Sequence, residues 1–323
     1  MEFRSARFWQ TLVHIRLSYL ILAAALIFCS YFFRSLRWRA FLAPLKAGHL
    51  GNIFVSTLIG FSAVALLGRP GELVRPLLIA RKERVTLSSQ LGAWTLERIF
   101  DSLTVGIMIG AALLLFPPEN ALGAGGARMM THLKTGAIIL FTSALVLVAF
   151  LVVLRNNAPV LLNVLLWFAR ALPERYRSGF QRMLRRVLKH FTTTLASIES
   201  ISSFAVCASF SLLVWIPVIL TYWTVTRAFG WPLSSLGLGG VVLLMAASIT
   251  GSLAQLPAVG GGTQLATVLV LTKLFGIPLE IATTAAILLW VMGFMIVLIP
   301  GLPLAAREGL SWKRLRYMVK TEG

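Results

Sequence analysis

Leu50–Leu67 reads LGNIFVSTLIGFSAVALL, eighteen residues without a charge, and Gly68-Arg69-Pro70-Gly71-Glu72-Leu73-Val74-Arg75-Pro76 follows at once. As a helix, the first stretch is long enough to cross the apolar core of a bilayer. The second cannot continue it, because two prolines remove backbone donors and two glycines lower helix propensity. Non-helical backbone at membrane depth is tolerated only where protein or water satisfies its polar groups, as in the broken segments of transporters. The freed N–H groups, with Arg69 and Arg75 beside them, suit a phosphate or another anion. An ordinary cytoplasmic turn is the plain alternative.

The rest of the chain agrees with a membrane reading. Of 323 residues, 58% are hydrophobic and 13% charged, and the mean hydropathy is +0.84. Soluble domains carry about twice that share of charge. The expected fold is an all-α polytopic membrane protein, one integral membrane domain over residues 1–323. Eight apolar stretches are expected as membrane segments: Leu17–Phe33, Leu50–Leu67, Leu91–Phe116, Thr135–Leu154, Ser203–Phe229, Leu236–Leu256, Gln264–Phe275 and Ile281–Leu304. The seventh is short enough to be re-entrant instead.

Lys and Arg outnumber Asp and Glu by 30 to 11, a net charge of +19. In a soluble chain this would point to nucleic acid, but basic loops also anchor cytoplasmic faces to anionic lipid, and no nucleic-acid partner is expected here. With eight crossings and a cytoplasmic N-terminus, roughly 21 basic residues fall inside and roughly 7 outside, so both termini are expected in the cytoplasm of a cell (inner or plasma) membrane. Arg34, Arg37, Arg39 and Lys46 then lie on the wrong side. Approximate halves 17–154 and 203–304 are joined by a basic segment, 155–200. Within it Tyr176–His190 has an amphipathic period and is expected to lie on anionic headgroups.

Ionisable groups inside spans are costly and point to function. The third apolar stretch contains Trp94-Thr95-Leu96-Glu97-Arg98-Ile99-Phe100-Asp101. Glu97 and Asp101 share a helix face, and Arg98 can pair Asp101. One arginine between two carboxylates leaves a net negative turn unless another arginine reaches it. Arg34-Ser35-Leu36-Arg37-Trp38-Arg39, closing the first stretch, has arginines that can turn inward to do so. A buried ion cluster that only fixes helix packing is the structural alternative.

A second break, Pro257-Ala258-Val259-Gly260-Gly261-Gly262-Thr263-Gln264, also separates two apolar stretches. A shift of about 192 positions sets Gly68 on Gly260, Glu72 on Gln264 and Arg98 on Trp290, the weak internal repeat expected when a transport site lies between related halves. Glycine runs also serve close helix packing.

Catalytic and metal constellations are not evident. His14, His49, His132 and His190 are scattered, Cys29 and Cys207 sit in apolar runs, and Gly260–Gly262 lacks the Lys-Ser/Thr of a nucleotide loop. No cofactor, metal or catalytic residue is expected.

Arg37-Trp38-Arg39, the block from Gly68 to Arg75, Glu97-Arg98-Ile99-Phe100-Asp101 and the late glycine-rich break together resemble the flippase-like family. This is the transmembrane region of lysylphosphatidylglycerol synthetases and its stand-alone relatives. The resemblance covers roughly residues 15–305. It implies movement of a lipid between leaflets: aminoacylated phosphatidylglycerol, or in some relatives polyprenyl-linked sugars or hopanoids. It does not imply lipid synthesis, since the soluble aminoacyl-transferring domain is not in this chain. Gln264 and Trp290 stand where the family usually carries Glu and a later Arg.

The expected function is therefore a flippase for a polar or charged lipid, with a membrane-embedded lipid-phosphate transferase or hydrolase, using Glu97 or Asp101 as base, as the alternative. Arg37, Arg69 and Arg75 are expected to hold a phosphate. Glu72, Glu97 and Asp101 would take a cationic headgroup or a coupling proton, and Arg98 would share their site. Gly260, Gly261, Gly262, Thr263 and Gln264 form the expected second half-site.

Overall fold

A computed structural model describes residues 15–43, 45–115, 201–252, 255–256 and 260–310, with isolated positions at 13 and between 131 and 181. The described chain is helical apart from a two-residue antiparallel ladder, Gln255–Leu256 with Gly260–Gly261. Its helices are α1 (Leu17–Leu42), α2 (Leu50–Leu67), α3 (Val74–Glu83), α4 (Leu87–Leu115), α5 (Ile201–Ala228), α6 (Leu238–Gly251), α7 (Gly262–Leu269), α8 (Leu279–Trp290) and α9 (Leu298–Arg307). A 3₁₀ turn, Arg69–Leu73, lies between α2 and α3, and π turns extend α7 to Leu274 and join α8 to α9.

Among the described residues five helices are long and apolar enough to cross a membrane: α1, α2, α4, α5 and the continuous Leu279–Arg307. Outward apolar side chains such as Leu17, Ile21, Leu115, Leu265 and Ile299 fit a lipid surround. Two of the eight expected segments are too short to cross alone. Leu236–Leu256 contains a fourteen-residue helix, and Gln264–Phe275 overlaps the eight-residue helix Gly262–Leu269 and its five-residue π turn. At 1.5 Å per residue each is only about 20 Å long. Most of Thr135–Leu154 and of Tyr176–His190 lies outside the described residues.

The long helices are ordered by side chains at regular spacing. Every seventh residue of α1 and its start meets α5. The Arg16 N–H donates to the Ala228 carbonyl (3.1 Å), Thr221 Oγ1 to the Ala23 carbonyl (3.5 Å), Ser30 Oγ to the Val214 carbonyl (2.9 Å), and Arg37 Nη1 to Ser211 Oγ (2.9 Å). The partner numbers fall as the α1 numbers rise, so α1 and α5 are antiparallel. Small residues at this seam let the backbones approach, and each polar group finds its partner within the bundle.

Each long pair brackets a hairpin. In the first, α3 folds back on α2: Arg75 packs on Gly60, and the Glu83 carboxylate accepts from Asn52 Nδ2 (2.9 Å) and the His49 N–H (3.3 Å). Both ends of this hairpin thus lie at the Leu42 end of α1. In the second, α7 folds back on α6, with Gly251 against Gly262 and Ser248 Oγ 2.7 Å from Thr267 Oγ1. Its ends lie at the opposite end of the bundle, by the end of α5 and the start of α8. Each break has a glycine at positive φ, although the second is Gly261 and not Gly260, the residue that the shift of 192 sets on Gly68. Gly68 (φ 70°) ends α2 and Gly261 (φ 102°) opens α7, both in the left-handed half of φ space that only glycine occupies freely.

α4 returns from the first hairpin antiparallel to α1, and α8–α9 closes the molecule against α2. There Ser62 Oγ donates to the Val297 carbonyl (3.1 Å), and Lys82 meets Glu308 at 2.6 Å. Arg16 and Glu308 accordingly lie at opposite ends of the bundle. A large core including Ala23, Leu113, Val225, Met245, Leu271 and Leu289 fills the Arg16 end, and a smaller one of Trp38, Phe41, Ile53, Ile79, Leu96 and Phe100 fills the Leu42 end.

Candidate functional site

The smaller core surrounds a buried ion cluster. Glu97 and Asp101, one turn apart on α4, both point toward α1 and α3, where three arginines meet them. Arg37 forks across the two: Nη2 lies 2.9 Å from Glu97 Oε1 and Nη1 2.8 Å from Asp101 Oδ1. Arg75 approaches Glu97 from the start of α3, with Nη1 at 3.0 and 2.9 Å from the two carboxylate oxygens. Arg34, one turn before Arg37, holds Asp101 Oδ2 at 3.2 Å. These charged side chains are all nearly inaccessible, and Arg37 is wholly so.

Aromatic and amide groups fix the arginines. The Arg75 guanidinium carbon lies 4.1 Å from the centre of the Trp38 ring, whose Nε1–H donates to Gln90 Oε1 (2.9 Å). Trp215 Nε1–H donates to Asp101 Oδ1 (3.0 Å), and Arg34 sits between the rings of Phe61 and Trp215, 5.3 Å from each centre. Flat guanidinium groups suit both the forked contact and the stacking, which a lysine would not reproduce. The close approach of α3 to α2 depends on Gly60, where any Cβ would overlap Arg75.

Arg98 behaves differently. It lies on the exposed side of α4, and its Nη2 is 3.7 Å from Glu97 Oε2 and 3.8 Å from Asp101 Oδ2. Its side chain keeps 43% of its accessible area, against 10% or less for the other five members. Glu72, half-buried in the break, is within electrostatic reach of Arg98. Arg69 is exposed at the start of the same break, and Arg39 is exposed at the end of α1.

The structure thus brings together Arg37, Arg75, Glu97, Arg98 and Asp101, with Glu72 beside them. Arginines of the Arg34–Arg39 stretch do turn inward: Arg34 and Arg37, joined by Arg75 from α3, converge on the turn, so it is not net negative. The principal partners of Asp101 are Arg37, Arg34 and Trp215, not Arg98. Gly260, Gly261, Gly262, Thr263 and Gln264 build the tip of the second hairpin, where the Gly261 N–H donates to Gln264 Oε1 (2.7 Å) and Thr263 is buried. Thr267 Oγ1, shared with Ser248, donates to the Thr263 carbonyl (2.7 Å).

Sequence reasoning placed Arg34 in an inward-turning trio but not in the site, and it passed over Gln90, Ser211 and Trp215. Ser211 and Trp215 are four apart and so share one face of α5, and that spacing is the signal that was there to read. Among the described residues no group of three His, Cys, Asp or Glu side chains is placed to hold a metal ion.

No curated protein and no solved structure matches the chain. One family model does, that of the lysylphosphatidylglycerol synthase TM region, over residues 3–301, a stretch that contains every described residue of the ion cluster and both hairpins. With nearly its whole length matched, the chain belongs to the lysylphosphatidylglycerol synthase transmembrane-region family.

Proposed function

We propose that this protein is a flippase: it passes the headgroup of a polar lipid between leaflets while the acyl chains stay in the bilayer. The observation that carries this reading is the ion cluster itself. It lies about 15 Å along α4 from Leu87, within a helix long and apolar enough to cross a membrane, and unmatched charge inside such a span costs several kcal/mol. A cluster of this cost next to a broken hairpin gives a charged headgroup somewhere to exchange ion pairs instead of meeting hydrocarbon. A lipid-phosphate transferase or hydrolase is the less favoured reading. Glu97 and Asp101 already accept from arginines and Trp215, which leaves neither carboxylate placed as a free base.

The arrangement of the halves supports the same reading. Helix, hairpin, helix occurs twice, entered from opposite ends, which is the inverted repeat of many transporters. We take the two hairpins to be re-entrant. The chain leaves α4 at the Arg16 end of the bundle and begins α5 at the Leu42 end. Among the described residues, six Lys and Arg at or beside helix ends (Arg39, Lys46, Arg81, Lys82, Arg84 and Arg307) lie at the Leu42 end, and three (Arg16, Arg227 and Lys273) at the Arg16 end. The Leu42 end is therefore the cytoplasmic one, which accounts for Arg39 and Lys46, and the N-terminus lies outside. A reporter fused after Gly323 is expected to be cytoplasmic, and a tag at the N-terminus reachable from outside. Two termini on one side would overturn this topology.

Transport is tested with the purified chain in vesicles carrying a fluorescent phospholipid and a membrane-impermeant quencher. Protein is expected to make label on the inner leaflet accessible. Arg75→Ala should cut that rate at least about tenfold, with insertion and folding retained, because Glu97 keeps Arg37. Equal rates with and without protein would refute the proposal.

A further inference from the structure

The charges in and beside the cluster do not balance. Arg34, Arg37, Arg75 and Arg98 face Glu97 and Asp101, and adding Arg69 and Glu72 from the adjoining break leaves the excess of positive charge at two. Nor is the excess spread evenly among donors and acceptors. Glu97 Oε1 accepts from Arg37 and Arg75, Glu97 Oε2 from Arg75, Asp101 Oδ1 from Trp215 and Arg37, and Asp101 Oδ2 from Arg34. On the donor side, Arg37 Nε and Arg75 Nε are buried without a partner, and Arg98 stands beyond hydrogen-bond distance of both carboxylates. What the site has left to offer is donors and positive charge.

We propose that the group this site binds is anionic, the phosphate of a lipid headgroup, and that Arg98 receives it first. The proposal rests on the flippase reading above and narrows it: the lipid carries net negative charge, and one whose headgroup is net cationic is rejected. A phosphate brings several acceptor oxygens to a site rich in unspent N–H groups, and its charge offsets a positive excess that low-dielectric surroundings make costly. An ammonium group brings donors to carboxylates whose oxygens are already taken, and adds to that excess. Arg98 is the member that can make the first contact, since it alone among the six is substantially exposed and only loosely held. Its flat fork can grip a phosphate while Arg37 and Arg75 keep Glu97 neutralised, so no carboxylate is left alone at any point of the exchange.

The test uses the full chain in detergent, with tryptophan fluorescence as readout, because Trp38 stacks on Arg75 and Trp215 bonds Asp101. Four probes are titrated: dihexanoyl phosphatidate, dihexanoyl glycerol, a dihexanoyl lipid with a trimethylammonium headgroup, and inorganic phosphate. Dihexanoyl phosphatidate is expected to bind saturably. Arg98→Gln, at an exposed position that leaves the buried pairs intact, should weaken it about tenfold, with Arg98→Lys between the two. The glycerol and trimethylammonium lipids should not compete. Competition by the cationic lipid, or unchanged binding by Arg98→Gln, overturns the proposal. Inorganic phosphate binding as tightly as the phosphatidate would make a free anion, not a lipid, the ligand. The vesicle assay separates the two levels. Transport of a cationic lipid in preference to an anionic one defeats this inference and leaves the flippase standing. Saturable phosphatidate binding without transport of any lipid does the reverse.

Discussion

Glu97→Gln is expected to destabilise the protein by about 3–5 kcal/mol, and to lose transport as a consequence of damaged folding rather than in a sound protein. Glu97 is where Arg37 and Arg75 both end, with Arg34 and Arg98 within 4 Å. Removing its charge raises an excess of two positive charges to three, inside a core where Arg37 has no access to water. Arg75→Ala works in the other direction: it takes away one of the excess charges and leaves Glu97 paired. The two substitutions should therefore differ in thermal stability. The detergent-solubilised Glu97→Gln protein should melt well below the native chain and Arg75→Ala close to it. Combining Glu97→Gln with Arg75→Met should recover part of the loss, because the charge excess returns to two. Equal melting of Glu97→Gln and the native protein would mean that the cluster is open to water and that the carboxylate is not the hub of its stability.

This asymmetry shows what the sequence could and could not disclose. The break after Leu67 is local chemistry: two glycines and two prolines end a helix wherever they stand, and the 3₁₀ turn Arg69–Leu73 lies there. The turn Glu97 to Asp101 is equally local, and the two carboxylates do share a face. The charge sign is not local. Glu97 lies 60 positions from Arg37 and 22 from Arg75, and only the antiparallel packing of α1 on α4 and the fold-back of α3 bring them together. Hydropathy likewise marks Leu236–Leu256 and Gln264–Phe275 as apolar, but not that each supplies a helix of only fourteen or eight residues folded against the other. A count of crossings from hydropathy alone then puts Arg34, Arg37, Arg39 and Lys46 outside. In the fold Arg34 and Arg37 are not loop charges at all, since both are buried against Glu97 and Asp101, and the topology proposed above puts Arg39 and Lys46 inside. The seam that sets the direction of α5 against α1 was visible only as Ala23 and Ser30 at a seven-residue spacing, too little to separate a helix interface from chance.

Gly60→Ala is expected to cost about 1–3 kcal/mol and to reduce transport to the level of Arg75→Ala, although position 60 carries no side chain and touches no charge. The reason is geometric. A Cβ at Gly60 would overlap the Cβ of Arg75 and press on its backbone nitrogen and Cα, and backbone cannot rotate away as the far end of a side chain can. α3 must then lift from α2, and the Arg75 guanidinium moves with it, away from Glu97 and off the Trp38 ring. Helix propensity argues the opposite way, since alanine inside α2 gains up to about 1 kcal/mol over glycine. Gly293→Ala isolates that term: it lies in the π turn after α8 with no atom within 4 Å of where its Cβ would stand, so it should be neutral or slightly stabilising and leave transport unchanged. Thermal melting and the vesicle assay on the pair decide between packing and propensity. If Gly60→Ala transports like the native protein, α3 does not need its present contact with α2, and the placement of Arg75 against Glu97 is not what the hairpin is built to hold.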